Sequence, residues 1–246
     1  MDDEVWATGP VKYAPRLLGA AFLFVILTSL SCGILLNSAT GTGSTSALLA
    51  GLSKDPALFR LAILGGMLNS TGIVVLAVLL YAVLKQQNQL VARIALGLWV
   101  AEAIFYAIIQ LGLLALIPLS AEFVGAGAPA GSYYQTLGDF LYNGIFNQGM
   151  TIHMWFYCVG GLLWYYLFFR SNYIPRIIPL FGLLAVALGL GSVVFQLLGY
   201  EISILFSLPI LPFEIAIGTW LLIKGTRMAI PPDVASASVF KPDAGD

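Results

Sequence analysis

Six stretches of the chain are almost continuously apolar: 17–36, 61–84, 94–117, 149–169, 177–199 and 202–223. Each is close to the roughly twenty residues an α-helix needs to cross about 30 Å of hydrocarbon. Helices then follow from backbone hydrogen bonding, because lipid offers no water to satisfy a free amide. A closed β-barrel would read as short alternating segments, whereas IVVLAVLLYAVL at 73–84 shows no alternation. The expected fold is all-α, a polytopic transmembrane helical bundle of about six transmembrane helices forming one domain over 17–223. A short N-terminal segment, 1–16, precedes it, and a polar tail with PPDVASAS, 224–246, reads as disordered. The first stretch lacks a small-residue cleavage pattern and reads as a retained span, not a removed signal peptide.

Composition agrees, since 59% hydrophobic and 9% charged residues are too apolar for a water-soluble surface of this size. A net charge of −1 and the lack of a basic patch exclude nucleic acid as a partner. Charge adds an orientation. Lys12, Arg16, Lys85, Arg93, Arg170, Arg176, Lys224, Arg227 and Lys241 fall on one side, and only Lys54 and Arg60 on the other. Cytoplasmic segments retain positive charge, so both termini are expected in the cytoplasm.

The links on the positive side, around 86–89 and 171–175, are short enough for tight turns between antiparallel neighbours. On the opposite side, the Gly/Ser/Thr-rich stretch 37–53 reads as a flexible loop. The segment from Pro118 to Gln148 carries Tyr133, Tyr134, Leu137, Phe140, Leu141, Tyr142, Ile145 and Phe146 at helical spacing beside Asp139 and Asn143. That pattern suits a helix lying in the outer interface, or an extended start to the fourth span.

Ionisable side chains inside hydrocarbon cost several kcal/mol unless neutralised, paired or wetted, and so mark candidate sites. Glu102 lies roughly 12 Å into the third span at 1.5 Å per residue, and Glu214 lies near the middle of the sixth. The lone histidine, His153, is expected about a turn inside the outer end of the fourth span, above the two glutamates. Glu102 and Glu214 can line a polar cavity that takes a proton, a cation or a basic solute; alternatively each is capped by a neighbouring helix and only fixes packing. For His153 the alternatives are an interfacial residue among headgroups and a proton-transfer or ligand-contact role.

A single histidine cannot supply paired axial haem ligation or a multi-histidine zinc site, and no motif calls for a metal or cofactor. Asn69, Gln110, Asn147, Gln148 and Gln196 are candidate interhelical hydrogen-bond partners, the first two also candidate site residues. Trp99, Tyr106, Trp155 and Tyr157 can wall a lipophilic pocket, whereas Trp164, Tyr165, Tyr166 and Tyr173 read as interfacial aromatics. Gly65, Gly66, Gly160, Gly161, Gly182, Gly189 and Gly191 predict close helix approach, and Cys32 and Cys158 read as small packing residues. Pro209 and Pro212 interrupt the last span just before Glu214, an arrangement suited to a kink or to a broken helix beside a binding site.

RLLGA at 16–20, FRLAILGGMLN at 59–69, LLYAVLK at 79–85, FFRSNYIPR at 168–176 and PFEIAIGTWLLIKG at 212–225 resemble the bacterial integral membrane family known as domain of unknown function 4386. The resemblance covers 12–225 and implies a multi-helix domain of the bacterial inner membrane, but carries no reaction and no catalytic residues with it. The residues lean toward transport or binding of a small molecule, proton or cation. A membrane enzyme acting on a lipophilic substrate and a structural or regulatory subunit remain alternatives. Membrane lipids, a small lipophilic or cationic ligand and a further copy of the chain are the partners compatible with this pattern.

Overall fold

The computed structural model describes residues 14–40 and 43–226. The positive residues Lys12, Arg227 and Lys241, most of the N-terminal segment and all but the start of the tail lie outside the described residues.

Among the described residues eight α-helices follow one another: α1 (Ala14–Thr40), α2 (Thr45–Lys54), α3 (Pro56–Leu84), α4 (Gln89–Gly125), α5 (Tyr133–Asp139), α6 (Gln148–Ser171), α7 (Ile177–Leu197) and α8 (Ile210–Lys224). A π-helical segment, Phe140–Asn147, joins α5 to α6 without a break. Local chemistry sets the starts. The Asp55 carboxylate accepts from the Leu58 amide at 3.0 Å with Pro56 just inside α3, and Asn88 Oδ1 accepts from the Val91 amide at 3.1 Å at the head of α4. Both side chains satisfy amides that the first turn leaves unpaired. α6 stops at Asn172, which adopts the left-handed conformation at φ 54°.

Six helices form a ring in chain order, α1 against α3, α3 against α4, α4 against α6, α6 against α7, α7 against α8, and α8 back against α1. Their outward faces carry large apolar side chains, such as Leu27 and Ile34 on α1 and Leu184 and Leu188 on α7. Among the described residues five helices are long and apolar enough to cross a bilayer, the fourth running unbroken from Tyr133 to Ser171. The sixth expected span is only partly helical. A 3-10 turn occupies Ile204–Phe206, and α8 begins at Ile210 with Pro209 as its cap, which leaves 15 helical residues, about 22 Å. Pro209 and Pro212 therefore do not kink a helix; they sit where one begins and where a missing amide costs little.

Other expectations change for similar reasons. Residues 45–54 are not a flexible loop but α2, because Leu48, Leu49 and Leu52 share a face that is buried against Phe59, Leu116 and Phe123. α4 continues through Pro118 to Gly125, and with α2, α5 and the π segment it builds an apolar cluster at that end of the bundle. Trp164 and Tyr165 are wholly buried, in a second apolar cluster with Trp99, Phe168 and Phe213 at the end of the two tight turns.

Glycines close the second cluster. A Cβ on Gly19 would lie 2.3 Å from the Leu222 amide nitrogen, so α1 and α8 touch backbone to backbone there. Gly160 admits the Trp99 ring and Gly182 the Phe213 ring, each at 2.4 Å from where a Cβ would stand. Lipid supplies no hydrophobic force between helices, so such contacts hold the ring together. Gly65 meets only ordinary contacts and Gly191 none.

Candidate functional site

Between the two apolar clusters lies a polar layer. Along α3, Phe59, Ala62 and Ile63 belong to one cluster and Leu76 to Leu84 supply the other, while Asn69 and Ile73 line a cavity of about 270 Å³ between them. The cavity also takes Glu102 and Tyr106 from α4, Met150, His153, Met154 and Tyr157 from α6, Val25 and Ser29 from α1, and Ser207, Ile210 and Glu214 from α8 and its approach. Both glutamates and the histidine thus share one site.

His153 lies deeper than expected. Since its helix starts at Tyr133 and not near 149, His153 falls 18 residues before the end at Ser171, level with Glu102. Its Nδ1 stands 3.8 Å from Glu102 Oε1, an electrostatic contact too long for a hydrogen bond. The Tyr106 ring leans on the imidazole at a centroid distance of 5.0 Å, and its hydroxyl points to Cys32 Sγ at 3.9 Å.

Glu214 occupies the second turn of α8 and accepts a 2.7 Å hydrogen bond from the Tyr157 hydroxyl. Tyr157 is itself fixed from below. Its ring stacks on Trp99 at 5.7 Å, and its carbonyl accepts from the Trp99 indole at 3.1 Å. Trp99 therefore does not line the cavity; it positions a residue that does. Gln110 is also outside the lining, packed on Gly66 and donating to the Tyr106 carbonyl at 3.2 Å.

Asn69 does line the cavity, and its Nδ2 donates to the Val25 carbonyl at 3.3 Å. Three buried polar atoms of the lining have no hydrogen-bond partner among the described residues: Glu102 Oε2, His153 Nδ1 and Asn69 Oδ1. These side chains are 3%, 7% and 2% exposed. Buried polar groups are ordinarily paired, so three orphans around one space are a feature of the site.

A sequence could not show which residues meet, and it underweighted Tyr157, Met150, Met154, Ser29 and Ser207. Tyr157 was visible as an aromatic in the right span, but its bond to Glu214 depends on where α8 begins. Trp155 is 39% exposed and faces outward. Cys32 and Cys158 are free, buried packing residues. Asp139 is away from the cavity, accepting from Thr45 and Asn143 at 3.4 and 2.7 Å. Asn147, Gln148, Thr151, Gln196 and Glu201 line a separate cavity of about 650 Å³, where Thr151 donates to Gln196 at 3.3 Å.

A ring of apolar helices around an internal polar cavity defines a multi-pass membrane protein. The chain belongs to the family described as Domain of unknown function (DUF4386), whose model matches residues 17–225. Neither a curated protein nor a solved structure matches it significantly.

Proposed function

We propose that this protein binds a small molecule in the mid-depth cavity and serves its transport or sensing in the bacterial inner membrane. The observation that carries this reading is the trio of unpartnered buried atoms, Glu102 Oε2, His153 Nδ1 and Asn69 Oδ1, around one cavity. A bundle built only to pack would satisfy such groups or replace them, because an unpaired buried polar atom costs about 1–3 kcal/mol. Ligand sites have the opposite character, an apolar wall with a few convergent polar groups, and roughly 300 Å³ is the small end of their range.

Both termini face the cytoplasm in this proposal. Arg16, Lys85, Arg93, Arg170, Arg176 and Lys224 gather at the end of the two tight turns, opposite Lys54 and Arg60. A cysteine introduced at Gln87 should resist impermeant thiol reagents added outside intact cells, and labelling there would reverse the orientation. The wider site includes Glu102, Glu214, His153, Asn69 and Tyr106, with Trp99 and Gln110 as supports behind it.

Mild extraction into lipid nanodiscs followed by mass spectrometry tests the function. Wild type should carry a discrete small molecule that is absent from a folded Asn69→Leu, Glu102→Leu double variant. An identical set of bound species in both proteins would count against the cavity as the site.

A further inference from the structure

Resting on that reading, we infer that the cavity recognises a small lipophilic ammonium ion, its N–H groups directed at Glu102, Asn69 and Glu214 and its hydrocarbon body at the aliphatic and thioether wall.

The inference comes from which hydrogen-bonding roles remain open. The Val25 carbonyl can only accept, so it fixes the Asn69 amide with Nδ2 toward it and leaves Oδ1, an acceptor, without a partner. The Tyr157 hydroxyl gives its proton to Glu214, and the Tyr106 hydroxyl is directed at Cys32 Sγ. Glu102 Oε2 is open, and the Glu214 carboxyl accepts one bond where its oxygens have room for several. Apart from His153 Nδ1, which faces the Glu102 carboxyl at 3.8 Å, the open buried atoms of the lining are thus acceptors. A complementary ligand brings donors.

Charge narrows the class. Among the described residues no Lys or Arg lines the cavity, and its basic side chain, His153, already faces Glu102 at 3.8 Å. An anion would meet two carboxyl groups with no committed cation. A cation would meet both carboxyl groups and, at Tyr106 and Tyr157, two aromatic rings of the kind that attract ammonium. Inorganic cations fit poorly, since hard ions take about six to eight oxygen ligands. Val25, Ile73, Met150, Met154 and Ile210 make most of this wall apolar, and among the described residues no three His, Cys, Asp or Glu side chains are placed to hold a metal ion.

The route in also favours a lipophilic body. Ser29 and Leu30 are the exposed residues of the lining on α1, and Ser207 stands just before α8 begins. The mouth therefore lies where α8 is too short to cover α1. Leu27 and Ile34 flank it on α1, 65% and 66% exposed, as on a lipid-facing surface. A ligand with an alkyl or aryl body can approach from the bilayer and leave its ammonium end at the carboxyl groups.

Four probes of one shape test this on the full chain in nanodiscs at pH 7: benzylammonium, benzyl alcohol, benzoate and benzyltrimethylammonium, by calorimetry. Benzylammonium should bind at least tenfold tighter than the alcohol and than the quaternary ion, which has the charge but no N–H, and benzoate should not bind. Glu102→Gln should weaken benzylammonium at least tenfold with the alcohol unchanged. Equal binding of the alcohol, the benzoate or the quaternary ion, removed by the cavity-filling Ile73→Trp, would keep the cavity as a site and overturn the ammonium assignment. Binding of none of the four to folded wild type would contradict both. Should Glu102→Gln fail to fold, Asn69→Leu provides the same comparison.

Discussion

The cluster around Trp99, Trp164 and Phe213 and the polar layer beside it both hold buried side chains, 0–1% exposed in the first and, for Asn69 and Glu102, 2% and 3% exposed in the second. They differ in how their polar atoms are treated. The Trp99 indole reaches the Tyr157 carbonyl at 3.1 Å, and the Tyr165 hydroxyl lies 3.5 Å from that of Tyr157. The Trp164 indole nitrogen is the cluster's one exception among its described residues. In the polar layer, three of the few polar side chains each hold an atom in reserve. Burial alone does not separate packing from a site; unspent hydrogen-bonding capacity around a space does.

Substitutions at Gly19, Trp99, Glu102 and Glu214, with Gly33 as a control, break or sharpen this contrast, in falling order of effect. Gly19→Leu should abolish folded protein, since its first carbon would lie 2.3 Å from the α8 backbone, while a Cβ on Gly33 of the same helix meets nothing within 4 Å among the described residues, so that Gly33→Leu should be silent. Size-exclusion profiles of the two detergent extracts decide that. Trp99→Ala should lower stability by about 3–5 kcal/mol in chemical denaturation, the usual cost of emptying a buried tryptophan site. Glu102→Met should act in the opposite direction, holding or raising stability by up to about 2 kcal/mol, because an apolar replacement removes an unpaired buried group. A large loss there would show that Glu102 is structural. The smallest effect belongs to Glu214: Gln keeps an acceptor for Tyr157 and should be silent in thermal melts. Leu loses that bond and should cost about 0.6–1.7 kcal/mol, from the average to the largest value for hydrogen bonds between membrane helices.

Much of the bundle was legible because lipid leaves so few options. Continuous apolar runs placed α1, α3, α4, α6 and α7, and the short links at 85–88 and 172–176 correctly paired neighbours. The ends were less legible. A leucine face turned the Gly/Ser/Thr-rich segment into α2, and the fourth span has the extended start that its aromatic spacing allowed, with two turns of π helix wedged where Gly112 meets Ile145. That longer start is why His153 was expected near the headgroups and stands beside Glu102 instead. Depth in a sequence is counted from a helix end, so an error at the end shifts every residue after it. Gly19 was not distinguishable because a lone small residue in an apolar run does not show which face it occupies.

Two positions on one helix test the central claim most directly. Ile73 and Leu80 are seven residues apart on α3, about 10 Å, and are 4% and 0% exposed, one lining the cavity and the other inside the sealed cluster. In a background with Cys32→Ser and Cys158→Ala, Ile73→Cys and Leu80→Cys can be treated with methyl methanethiosulfonate and followed by intact-protein mass spectrometry. The cavity predicts that Ile73→Cys is modified within minutes and protected by benzylammonium, while Leu80→Cys stays unmodified in the folded protein. Equal resistance at both positions would mean that the polar layer is closed packing and would contradict the account.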